Sequence, residues 1–360
     1  MVTDMAPIPD QDPSHVIARA DGSVGHLTLD RPRAINALDY GMIVELAAAL
    51  DAWEHHPDIQ VVLLDGAGER GLCAGGDVRG LYGQIVSGRA DDTATFFRAE
   101  YALNARIAEY PKPVVAIADG ITMGGGIGLA GHAAVRVVTE RSALAMPETR
   151  IGFTPDVGGT WLLGRAPGRV GEYLGLTGGT MDAADAIYAG FADHLVPSDR
   201  LGDLHDALVT RADPHTPAEL VLLFDETAPP SRLEAARPWI DDAFSAGTVT
   251  DIIARLRARP EAEAAATADT LEELSPTGLA VTLAAVRSAR ALPGLRAALE
   301  QEYGLVMWFA ATQHDLVEGI RAQLIDKDRA PKWQPSTLAE LPAGIGEQAL
   351  SSVPSVPLWD

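Results

Sequence analysis

The chain has 360 residues, 47% hydrophobic and 22% charged, which is the composition of a folded protein and excludes global disorder. Its formal net charge of −22 excludes a general nucleic-acid surface, because phosphate backbones are held by clustered Lys and Arg. No apolar stretch of roughly 18 residues occurs, so no membrane span is expected, and a single cysteine, Cys73, excludes an internal disulfide.

The first 13 residues are acidic and contain prolines. They lack the basic and apolar segments of a signal peptide and are expected to form a flexible tail. With one cysteine in the whole chain, a reducing, cytoplasmic setting is expected. Val24–Asp30 has strand character and ends at Arg31-Pro32. Leu38, Met42, Ile43, Leu46, Leu50 and Trp53 then recur at three- and four-residue steps, predicting a helix. His55-His56 before Pro57 marks its exposed end. Val61–Leu64 is a short apolar run of the kind buried on both faces of a sheet.

The loop 66–76 contains Leu72-Cys73-Ala74-Gly75-Gly76-Asp77, whose paired glycines let the backbone turn and approach a ligand. A helix follows, with Phe96, Phe97, Tyr101, Asn104 and Ile107 near one face. Val114–Ala118 is a second buried strand. Thr122-Met123-Gly124-Gly125-Gly126-Ile127-Gly128 breaks it and opens a short helix, leaving N–H groups without intrahelical partners. Such amides stabilise an anion or a developing oxyanion, and two of them from separate loops are the parts of an oxyanion hole. Each loop alone reads equally as a tight turn. The glycines match neither a dinucleotide fingerprint nor a P-loop.

After a strand at Val135–Thr139 come Met146-Pro147-Glu148-Thr149 and Gly152-Phe153-Thr154-Pro155-Asp156-Val157-Gly158-Gly159. Glu148 and Asp156 thus sit on Pro/Gly-rich loops instead of a solvated helical face. Strands alternating with helices predict an α/β layered core. Beyond about residue 200 the chain is rich in Ala, Leu, Glu and Arg, strand-like runs are scarce, and Ser275-Pro276 reads as an N-cap with a proline at N1. The expected organisation is a catalytic core over 14–200, a helical region over 201–341, and an extended Gly/Ser/Pro-rich tail over 342–360.

These motifs resemble the crotonase (enoyl-CoA hydratase/isomerase) superfamily. The resemblance is carried by Asp30-Arg31-Pro32 with Asn36-Ala37-Leu38, the Cys-Ala-Gly-Gly-Asp loop, the glycine-rich loop, and Met-Pro-Glu with a downstream Gly-Gly. It implies a repeated ββα spiral core with a C-terminal helical region. It also implies that Gly76 and Gly125 offer N–H groups to a CoA thioester oxygen. Hydratases of the superfamily carry a glutamate where this chain has Gly128, and water addition to a C=C bond normally uses two carboxylates.

Other motifs are similar to the 3-hydroxyisobutyryl-CoA hydrolase branch: Phe96–Tyr101, Gly120–Gly126, Pro155–Gly159, Ser275–Thr277, His314-Asp315, and Ile325–Trp333. The expected activity is hydrolysis of a 3-hydroxyacyl-CoA thioester, foremost 3-hydroxyisobutyryl-CoA of valine breakdown. Glu148 would act as nucleophile or general base. Asp156 would bind the 3-hydroxyl or place water, and Glu100 would line the acyl pocket. Arg33 and Arg79 are candidates for the CoA phosphates, though each is equally a surface arginine. No cofactor beyond substrate CoA, no metal, no nucleic-acid or membrane partner is expected, and a homo-oligomer stays open. The alternatives are a hydratase or isomerase, and a non-catalytic acyl-CoA binder.

Overall fold

The aliphatic runs form the centre of the molecule in a computed structural model that describes residues 14–89, 92–210 and 216–359; the expected N-terminal tail, 1–13, lies outside them. Eight strands occur among the described residues: β1 (Val16–Asp21), β2 (Val24–Leu29), β3 (Val61–Gly66), β4 (Val114–Ala118), β5 (Ile121–Met123), β6 (Val135–Val138), β7 (Ala143–Ala145) and β8 (His194–Leu195). Six form one sheet in the order β1-β2-β3-β4-β6-β8, parallel except for the β1–β2 hairpin. Helices Tyr40–Glu54 and Thr93–Glu109 make the crossovers into β3 and β4. All of Val114–Ala118 is buried, as a parallel strand covered on both faces requires.

β5 and β7 pair in a second, smaller layer. Isolated bridges extend it from Leu38 to Gly76, from Cys73 to Thr122 and from Leu144 to Met181. Each turn of the chain therefore leaves one strand in the large sheet and a shorter stretch in the second layer. This is the repeated ββα spiral expected from the motifs.

The helical caps are local. Asp39 accepts from the Met42 amide at 2.9 Å, and the Ser275 hydroxyl accepts from the Gly278 amide at 2.9 Å with Pro276 at N1. Helices Pro276–Ala289 and Leu295–Thr312 pack on Gly159–Arg165 and Thr93–Glu109. Leu279, Leu299 and Phe309 join Leu64, Tyr101 and Leu163 in one hydrophobic cluster. The change near residue 200 is thus one of composition, and both halves share a core. The segment 342–360, expected as a free tail, differs from that expectation. Helix Ile345–Leu350 lies on Pro276–Ala289, so close that a Cβ on Gly346 would stand 2.7 Å from the Ala284 Cβ, and Leu358 is buried.

Candidate active site

Two loops meet because their backbones pair. Cys73 donates its amide to the Ile121 carbonyl at 3.2 Å and accepts from the Met123 amide at 2.9 Å. The loop after β3 therefore runs beside β5 and its glycine-rich continuation. Gly75 (φ 108) and Gly124 (φ 48) hold backbone conformations that side chains rarely adopt. Across this junction a Cβ built on Gly125 would lie 3.2 Å from the Gly76 nitrogen. Among the described residues neither the Gly76 nor the Gly125 amide donates to a protein acceptor. Both residues border one cavity of about 870 Å³.

Three carboxylates line the same cavity. Glu148 opens the 3-10 turn Glu148–Ile151 after β7, and Gly152 (φ 69) closes that turn. Glu100 comes from helix Thr93–Glu109, and Asp156 from the loop before helix Gly159–Arg165. All three are buried, with 2–7% of their surface exposed. A Cβ on Gly124 would stand 3.0 Å from Glu148 Oε1, and one on Gly125 would stand 2.7 Å from Glu100 Oε1. The glycines are therefore required where the two carboxylates press against the loop. Glu100 Oε1 and Glu148 Oε2 are buried without a protein hydrogen-bond partner among the described residues. Unpaired buried acceptors facing a cavity are costly unless a ligand or water satisfies them.

Burial, and then the charge of Asp156, pushes Glu148 and Glu100 well above the usual carboxylate range. Burial raises Asp156 to about 7 although the Tyr101 hydroxyl donates to its Oδ2 at 2.8 Å. Such a cluster titrates as a unit and keeps protons at neutral pH, so it holds a base beside an acid. A reaction that needs ionised Glu148 is lost as pH falls through the cluster's apparent pKa. The acid limb of kcat/KM is expected well above an ordinary carboxylate value of about 4, because burial and the charge of Asp156 raise Glu148. A pH–rate profile with its limb at the ordinary value would contradict this environment.

The turn carrying Asp156 is gripped from two sides. Val157 has φ 52, a left-handed backbone that costs a β-branched residue roughly 1–2 kcal/mol. The His132 ring lies 2.8 Å from the Val157 carbonyl through Nε2, which donates to it. Glu302, from helix Leu295–Thr312, accepts from the amides of Gly158 and Thr160 at 2.6 and 2.8 Å and from the Thr160 hydroxyl. Tyr101, His132 and Glu302 were not foreseen as site residues. Glu302 lies 144 residues beyond Gly158 in an Ala/Leu/Glu-rich helix, and no local pattern marks it.

Arg79 borders the cavity, whereas Arg33 is exposed and does not line it. Arg31 instead turns toward the loop after β3, donating to Asp77 and to the Ala37 carbonyl, both at 3.0 Å. A left-handed pair, Ile35 (φ 51) and Asn36 (φ 52), follows the turn Pro32–Ala34. Cys73 is fully buried, and burial pushes its thiol up to about 12, which suits a packing residue and not a nucleophile. Asp21, His26 and His205 bring three potential metal-ligand atoms within 4.8 Å of one another, away from the cavity. There Arg19 already supplies positive charge, pairing with Asp21 at 2.8 Å and with His26 Nδ1 at 2.7 Å.

Residues 24–350 match the family model described as enoyl-CoA hydratase/isomerase. The chain is 40% identical to a mitochondrial 3-hydroxyisobutyryl-CoA hydrolase of Danio rerio, over 93% of this chain and 88% of that one. It is 38% identical to 3-hydroxyisobutyryl-CoA hydrolase 1 of Arabidopsis thaliana, over 94% and 92%. A solved carnitinyl-CoA dehydratase from Mycobacterium thermoresistibile superposes with a TM-score of 0.90 at 46% identity, covering 96% of this chain and 98% of that one. The cytoplasmic expectation is corrected by these relatives, because those from Danio rerio, Gallus gallus and Mus musculus are named mitochondrial. A single cysteine has no partner for an internal disulfide in any compartment, so it does not distinguish the two.

Proposed function

The chain belongs to the enoyl-CoA hydratase/isomerase (crotonase) family, on its 3-hydroxyisobutyryl-CoA hydrolase branch, and we propose that its cavity hydrolyses 3-hydroxyisobutyryl-CoA to the free acid and CoA. The observation that carries this reading is the convergence of Gly76, Gly125 and Glu148 on one cavity, with Glu100 and Asp156 beside them. The thioester carbonyl oxygen would accept from the Gly76 and Gly125 amides, which are spent on no protein acceptor among the described residues. As the carbonyl carbon is attacked, its π pair moves onto that oxygen, and two preset donors stabilise the charge where it develops.

The Glu148 carboxylate either forms the new C–O bond, giving an acyl-glutamyl anhydride that water then opens, or takes a proton from the attacking water. In both routes the C–S bond breaks, the pair leaves on sulfur, and a protonated neighbour in the cluster supplies the thiol proton. Asp156 and Glu100 would pair with the substrate's 3-hydroxyl. A site built to pair with a hydroxyl discriminates against acyl groups that lack it, because its buried acceptors are then left unsatisfied. Arg79 at the cavity edge would meet the CoA phosphates.

The solved relatives carry dehydratase and hydratase names, and one position argues against that chemistry here. A Cβ on Gly128 would stand 2.7 Å from the Val157 Cβ and 2.8 Å from Asn104 Nδ2, so a hydratase glutamate has no room. Gly128→Glu is expected to gain no hydration of crotonyl-CoA and to lose stability by about 1–3 kcal/mol through overpacking. Thermal melts and the loss of enoyl absorbance check both halves. The function itself is tested by thiol release from 3-hydroxyisobutyryl-CoA and 3-hydroxypropionyl-CoA. Rapid release with no change in crotonyl-CoA absorbance is expected, and enoyl consumption without thiol release would overturn the hydrolase reading.

A further inference from the structure

The turn 156–160 makes few hydrogen bonds of its own, Gly159 N–H to the Asp156 carbonyl at 2.6 Å being one. It also passes through two consecutive left-handed residues, Val157 and Gly158. Beside the His132 bond to the Val157 carbonyl, what holds it is Glu302. This side chain is wholly buried on helix Leu295–Thr312, and its two oxygens take the Gly158 amide, the Thr160 amide and the Thr160 hydroxyl. One carboxylate thus satisfies three donors at the mouth of a short helix, a stronger grip than neutral acceptors would give.

We infer that Glu302 is a positioning residue for hydrolysis: it clamps the turn so that Asp156 enters the cavity, and its charge helps set where the carboxylate cluster ionises. This rests on the thioester-hydrolase reading above. The titratable groups facing Glu302 come from three directions. Asp156 lies on the clamped turn, Glu148 on the 3-10 turn after β7, and Tyr101 on helix Thr93–Glu109. His132, on the far side of the turn, stays neutral because burial lowers it to about 4. Burial pushes the Glu302 carboxyl up, but its two oxygens accept from three donors on Gly158 and Thr160, which favours the charged form. It is therefore one more member of a cluster that repels its own ionisation, and removing it eases the ionisation of the others.

A plain structural staple would behave differently, since loosening the turn lowers turnover without moving the titration. The test compares Glu302→Gln and Glu302→Asp with the wild type. Glu302→Gln keeps the size but turns an NH2 group toward an N–H. It is expected to lower kcat about tenfold or more, leave KM within about threefold, and move the acid limb of kcat/KM down by about half a pH unit or more. Glu302→Asp keeps the charge, so its limb stays in place and part of kcat returns.

Hydrogen exchange of peptides spanning 153–163 reads the clamp without turnover, and the amides there are expected to exchange faster in Glu302→Gln. Wild-type kcat in Glu302→Gln, a fall in kcat with an unmoved limb, or unchanged exchange would overturn the inference. Wild-type protein that releases no CoA would sink the hydrolase reading alone, because the exchange measurement still reports on the clamp.

Discussion

Glu148→Gln is expected to cut CoA release from 3-hydroxyisobutyryl-CoA by about a thousandfold or more, without loss of fold. The substitution keeps the shape of a side chain that is 7% exposed and removes the group placed to attack or to take the proton. Its effect on stability has a definite sign. Burial and the charge of Asp156 raise the Glu148 carboxyl in the folded protein, whereas in the unfolded chain it titrates near about 4.3. Below that pH both states bind the proton and stability is unaffected. As pH rises the unfolded chain releases it first, so the wild type loses stability until the folded carboxyl also ionises. Glutamine removes that loss. The variant's melting-temperature advantage should therefore grow as pH rises above about 4.3, until the folded carboxyl also ionises. A variant with wild-type turnover would take Glu148 out of the chemistry, and one less stable at high pH would contradict the environment described.

Gly125→Ala is expected to act at the other end of the same bond. Its methyl group would land 2.7 Å from Glu100 Oε1 and 3.2 Å from the Gly76 nitrogen, in the space the thioester oxygen needs. Loss of that geometry should lower kcat by about 10²–10³, the usual consequence of disabling one oxyanion donor. Free CoA has no carbonyl to place, so its affinity should change by less than about threefold. Stopped-flow thiol detection and calorimetry with CoA separate the two effects. A rate within about threefold of wild type would remove the amide pair from the mechanism.

Much of this architecture is legible in the residues because burial has a period. The run 61–64 that opens β3 and the whole of β4 are apolar at every position, as a doubly covered strand demands. Helix Tyr40–Glu54 shows its buried face as Met42, Ile43, Leu46, Leu50 and Trp53, and its start as Asp39. The superfamily motifs then placed Glu148, Asp156, Glu100 and both glycines at one cavity. What stayed hidden lacked a local signal. β1 is an edge strand whose central residues are exposed, and β5 and β7 are three residues each, too short to show alternation. Arg31, paired with Asp77, and Arg33, exposed, are told apart only by their contacts in the fold, which no composition rule predicts. Glu302 becomes a site residue solely because helix Leu295–Thr312 packs on the core. The helix Ile345–Leu350 is likewise made by packing, in a segment whose Gly and Ser content argues for none.

The most direct measurement is a crystal structure of Glu148→Gln with 3-hydroxyisobutyryl-CoA bound. The thioester oxygen should lie within about 3 Å of both the Gly76 and Gly125 nitrogens, with the residue-148 side chain over the carbonyl carbon and the 3-hydroxyl at Asp156 or Glu100. A thioester bound with its oxygen away from these two amides would contradict the account.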